Sequence, residues 1–134
     1  MKKGTILFHP SFEFTDGETG RKYLIILNDP DLKKSEPFLL VKTTSQSHNK
    51  PETPGCHPDK NLYAINANQD FFPKKTWIQF FEIFEADSAK FIKGHFEKGL
   101  EIKGSLKPDT LRAIINCIRK SDDVFEYHFS LLQS

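Results

Sequence analysis

The sequence has little cysteine, no long apolar run and no excess of charge of either sign. Each shortage removes a class of protein. The two cysteines, Cys56 and Cys117, form neither a CxxC pair nor a Cys/His spacing of the zinc type. That excludes a disulfide-dense scaffold and a zinc module, and it predicts two free thiols in a reducing compartment. The longest apolar run is "YLIIL", residues 23–27, far short of the roughly 20 residues that span a bilayer. The start, "MKKGTILFHP", is basic but lacks the sustained apolar stretch of a secretory leader. A soluble, cytoplasmic chain with no membrane partner is expected. Nineteen Lys and Arg stand against eighteen Asp and Glu, a formal net charge of +1. Global charge selects no partner, so any nucleic-acid site must be a local patch.

What the chain does have is phenylalanine, thirteen in 134 residues that are 37% hydrophobic. This length and composition suit one domain, residues 1–134, whose core needs no metal or disulfide staple. "GTILFHP" reads as a first strand. "SFEFTDGETG" follows as a polar loop with a "DG" turn signal, either a partly ordered hairpin or a mobile arm. "KYLIILND" is a continuous apolar run, as expected of a strand buried on both faces and ended by the Asn28-Asp29-Pro30 turn. "PFLLVKTTSQ" is a further strand with a polar tail. "SHNKPETPGCHPDKN", residues 47–61, reads as a long surface loop.

"LYAIN" and "KTWIQFFEIFEA" read as strands, the second bending near its end. "ADSAKFIKGHF" suggests a short helix capped by Asp87 or Ser88, and "EIKGSL" a short strand. "KPDTLRAIINCIRKSDD" is the clearest helix. Pro108 suits its first position, and Leu111, Ile114, Ile115 and Ile118 form one apolar stripe opposite Arg112, Asn116 and Arg119. Many short strands with a terminal helix predict a mainly β fold with short helices, either a small barrel or a strongly bent sheet.

No phosphate loop, nucleophile elbow or HExxH pattern occurs among these residues. The five histidines, His9, His48, His57, His95 and His128, show no metal-ligand spacing. His57 beside Cys56 reads as a loop histidine or, less simply, a metal ligand. Two features remain. Arg21 and Lys22 lead into one strand, and Thr43, Thr44, Ser45 and Gln46 end the next. Each has a plain reading, solvated cations and a turn. Brought together by strand pairing, they would also suit a phosphodiester. A cation stabilises the charge that develops on five-coordinate phosphorus, and hydroxyls hold a non-bridging oxygen. RNA carries its own nucleophile, the 2′-OH.

The order of the motifs adds a resemblance. "GTI", "TGRKYLIILND", "LLVKTTSQ", "FFEIFEADSAKF" and "IKGSLKPDTLRAIINCIRKSDDV" run collinearly over residues 4–124. The pattern resembles that of the MazF/PemK toxin endoribonucleases. Their pattern is a "GDI" opening, a G-x-R-P loop before an apolar strand, an "ITSQ" or "ITAQ" strand end, a "QIRT" strand and a closing helix. The resemblance implies an SH3-like small barrel of the MazF/PemK type with a C-terminal helix, commonly a homodimer. It also implies cofactor-free and metal-independent cleavage of single-stranded RNA by 2′-OH attack, leaving a cyclic phosphate, with a small antitoxin protein as partner.

Carried over by position, the catalytic arginine falls on Lys22 and the catalytic threonine or serine on Thr44. Tyr23 stands where proline usually follows, and Phe84 replaces the arginine of "QIRT". Lys22 is a point charge rather than a planar fork, and adjacent Arg21 takes the role if the loop bulges, since successive strand residues face opposite sides. Thr43, Ser45 and Gln46 are candidate RNA contacts. His9 reads as an acid or base, or as an exposed strand end. Phe12 and Phe14 read as stacking platforms for unpaired bases, or as plugs of the barrel mouth. The missing arginine supports an alternative, a non-catalytic RNA- or protein-binding module of the same fold. A barrel that only makes protein contacts through its Phe-rich surface is a third reading.

Overall fold

Continuous apolar runs need cover on both faces, and β2, Thr19–Ile26, with β3, Phe38–Thr44, receive it. The computed structural model describes the backbone of residues 1–13, 19–97 and 100–132. Within these it describes all side chains except those of residues 9–13, 19–22 and 94–97. Seven antiparallel strands form one sheet in the order β4-β5-β6-β3-β2-β1-β7. The remaining strands are β1, Thr5–Glu13; β4, Gly55–His57; β5, Leu62–Ile65; β6, Thr76–Ala86; and β7, Glu101–Ser105. The sheet is open, with β4 and β7 at its edges.

Alternation sorts the side chains by face. Ile6, Ile25, Leu39, Val41, Ile78 and Phe80 share one core cluster with Leu111, Ile114, Ile115 and Ile118. The last four lie on α2, Pro108–Arg119, so the apolar stripe read from the sequence is the face that packs. Leu7, Leu24, Ile26, Phe38 and Leu40 form a second cluster with Phe84, Phe91 and Ile92. Phe91 and Ile92 belong to α1, Ser88–Glu97, where the Asp87 carboxylate accepts the Lys90 N–H at 3.0 Å and serves as the cap. Helices thus cover opposite faces.

Asn28 ends β2 with a buried amide rather than a solvated turn. Its Oδ1 accepts the Leu39 N–H at 2.8 Å, and its Nδ2 donates to the Pro37 carbonyl at 3.0 Å. The bend expected in β6 is a register shift: Lys42 pairs Gln79, but Leu40 pairs Phe84. A bulge also interrupts the β1–β2 hairpin, where His9 pairs Lys22 and the next pair is Phe12 with Gly20. The hairpin pairing continues to Glu13 and Thr19.

Two expectations are corrected. Residues 47–61 are not an unstructured loop throughout, because β4 and a 3-10 turn, Pro58–Lys60, lie within them. Cys56 and Cys117 are not free thiols. They form a disulfide between β4 and α2, with Cα atoms 5.5 Å apart. A third helix, α3, Glu126–Leu131, was not anticipated. Its Phe129 and Leu131 pack on the α2 side of the core, and buried His128 meets the Glu85 carboxylate at 2.9 Å. Among the described residues, no helix is long and apolar enough to cross a membrane.

Candidate functional site

The β2–β3 ladder ends at the Leu24–Lys42 pair. Beyond it a side chain takes over from the backbone: the Thr43 hydroxyl donates to the Tyr23 carbonyl at 3.0 Å. A cavity of about 640 Å³ opens here, lined on the β3 side by Thr43, Thr44, Ser45 and Gln46. That volume suits a drug-sized ligand or a nucleotide. The hydroxyl cluster singled out from the sequence therefore lines the cavity.

Thr44 is the informative member. Its Oγ1 accepts the Gln46 N–H at 3.2 Å, so it does cap a turn. A hydroxyl that accepts still has one proton to donate, and no described group takes that proton. Thr44 is only 9% exposed and is among the residues lining the cavity. Thr43 differs, because its own proton is already given to β2.

The opposite wall was not found from the sequence. It comes from the connection between β5 and β6, which contributes Phe71, Phe72, Pro73 and Lys74, with Thr76 at the start of β6. Tyr23 packs edge-on against Phe71 and Phe72, ring centroids 6.0 Å from each, and Phe8 lies 5.6 Å away. The Lys74 ammonium has no ion-pair or hydrogen-bond partner among the described residues. Lys103 lies 5.8 Å from the Phe8 ring and pairs with Glu101 at 2.6 Å. That hydrogen bond, with the carboxylate's charge, raises the Lys103 pKa and keeps it cationic. The sequence did carry one signal, two adjacent Phe in a polar "NQDFFPKKT" stretch with no local apolar partner.

The remaining candidates divide. The side chains of His9, Phe12, Arg21 and Lys22 lie outside the described residues, as does all of Phe14. The described backbones of His9, Phe12, Arg21 and Lys22 run in the β1–β2 hairpin, and Tyr23, which follows Lys22 directly, lines the wall. Lys22 and Thr44 each lie two residues beyond the last β2–β3 pair, Leu24–Lys42. Phe84 packs in the α1-side cluster and is not among the cavity lining. Cys56 is committed to its disulfide, and the His57 Nε2 lies 2.7 Å from the Thr53 carbonyl. Among the described residues, no group of three His, Cys, Asp or Glu could hold a metal.

The chain matches no protein-family model and no curated protein. What the site does must be argued from its own chemistry.

Proposed function

We propose that the chain is an endoribonuclease of the MazF/PemK type that cleaves single-stranded RNA without a metal. The observation that carries this reading is the Thr44 hydroxyl, whose proton no described group accepts, lining a cavity where β2 and β3 part. In the reaction the ribose 2′-oxygen attacks the adjacent phosphorus. The 2′-O–P bond forms and the P–O5′ bond breaks. The 2′ proton departs, and the leaving 5′-oxygen takes one up. Thr44 donates to a non-bridging oxygen, and Lys22 or Arg21 stabilises the added charge. His9 is the candidate proton carrier, with Thr43, Ser45 and Gln46 along the strand. In this reading the open sheet corresponds to the wall of an SH3-like barrel, a homodimer is the working form, and a small antitoxin covers the site. The substrate implies a cytoplasmic location, although the Cys56–Cys117 disulfide is unusual in such a reducing compartment.

A second reading, a non-catalytic RNA-binding module, draws on a specific observation. Lys74 is the sole cation lining the cavity among the described residues, and Phe84 replaces an arginine. One assay separates the two. Purified protein in EDTA is expected to cut single-stranded RNA and leave cyclic phosphate ends. Thr44→Val should slow cutting roughly 100-fold, while Thr44→Ser, which keeps the hydroxyl, should retain most of it. Binding without cutting across varied RNAs would establish the module instead.

A further inference from the structure

The loop of residues 66–75 is built more firmly than a connection between two strands requires. The Asn68 N–H donates to the Phe72 carbonyl at 2.9 Å, with Asn68 in the left-handed region at φ 60°. The Asp70 carboxylate accepts the Phe71 N–H at 2.7 Å through one oxygen and the Lys107 N–H at 3.1 Å through the other. The Lys107 ammonium returns to the Gln69 carbonyl at 3.0 Å. These bonds fasten the loop to the junction between β7 and α2.

What the loop presents is a ring. Phe71 packs edge-on against Phe72, centroids 5.2 Å apart at 84°, yet it remains 37% exposed beside Tyr23 at 38%. Its other neighbour is the Gly104 backbone on β7. A methyl group placed on Gly104 would lie 3.0 Å from two Phe71 ring carbons, inside the roughly 3.5–4.0 Å of a relaxed carbon–carbon contact. Gly104 therefore lets the ring rest against the sheet edge. A half-exposed aromatic held this way, next to the Lys74 ammonium and a row of hydroxyls, has the components of a single-stranded nucleic-acid subsite. Aromatic faces stack unpaired bases, and cations follow the backbone.

Building on the nucleic-acid reading above, we infer that Phe71 is the platform on which one unpaired base of the bound strand stacks. Lys74 contacts a neighbouring phosphate, and Gly104 is a positioning residue that sets the height of the ring. The subsite takes an unpaired nucleotide and rejects a duplex, whose bases are already stacked on each other.

The test uses a strand that cannot be cleaved, a fluorescein-labelled 2′-O-methyl oligoribonucleotide, against the same backbone carrying abasic positions. Binding is read by anisotropy. Wild-type protein should bind the base-bearing strand more tightly. Phe71→Ala should weaken that binding about tenfold and abolish the difference between the two strands, while Phe71→Tyr restores both. Gly104→Val should behave like Phe71→Ala, with a melting curve to confirm folding. Lys74→Ala should weaken binding of both strands and flatten the salt dependence. Equal binding of the two strands by wild type, or unchanged binding by Phe71→Ala, overturns the platform, as does failure to bind either strand. Cleavage of ordinary RNA is scored separately. Cutting without base-dependent binding removes the platform and leaves the nuclease reading standing; base-dependent binding without cutting does the reverse.

Discussion

Reducing the Cys56–Cys117 bridge is expected to lower stability by about 4 kcal/mol, from closure of a loop with a sequence separation of 61. For a chain of this size that is a fall in Tm of roughly 10–15 °C. The expectation follows from what the bridge holds. β4 has three residues and pairs only with β5 at the sheet edge. It is too short to keep its own place, and the disulfide ties it to buried Cys117 on α2. Residues 47–54 lead from the cavity rim into β4. They are also held where the Trp77 indole donates to the Pro51 carbonyl at 2.8 Å and the Lys75 ammonium donates to that of Glu52. Circular-dichroism melts with and without a phosphine reductant measure the effect, and Cys117→Ala provides a reductant-free check. A change in Tm under 2 °C by both routes would show that the bridge does not staple the edge. Backbone hydrogen exchange should rise first in residues 47–57, where the short β4–β5 pairing and the hydrogen bonds at Pro51 and Glu52 are among the ties that remain.

The continuous apolar run of β2 was enough to show that the strand is buried on both faces. Leu24 and Ile26 enter one cluster while Ile25 and Leu27 enter the other. The α2 stripe was equally legible, because a helix with strong periodicity carries its own packing face in its spacing. β4 was hidden because Gly55-Cys56-His57 has no alternation to read; a partner strand and a disulfide place it, both far away in sequence. α3 was hidden by its six-residue length and by burying a histidine where an apolar residue would have been a signal. Half of the candidate site was visible, since "TTSQ" at the end of a strand is a local feature. The wall of Phe71, Phe72 and Lys74 was not, because only the fold carries that loop across to Tyr23.

On the proposed nuclease reading, alanine at Lys22 and Arg21 together is expected to abolish RNA cleavage, and the single substitutions should divide the effect unequally. Removing one charge-stabilising group at a phosphoryl centre costs roughly 100- to 1,000-fold, so the single variant that loses this much identifies the acting cation. The sequence resemblance favours Lys22, which like Thr44 lies two residues beyond the last β2–β3 pair, Leu24–Lys42. The hairpin complicates simple alternation. Its pairing jumps from His9–Lys22 to Phe12–Gly20, so Arg21 lies opposite a bulge on β1, and bulges re-aim the side chains around them. Lys22→Arg sharpens the test. If Lys22 meets the phosphate, a planar fork that binds two oxygens should raise the rate. If Arg21 does, Lys22→Arg should leave it unchanged, and Arg21→Lys should lower it. Full cleavage by the double-alanine variant would remove the pair from the mechanism, leaving Lys74, the one cation among the described lining residues, for Thr44 to work with.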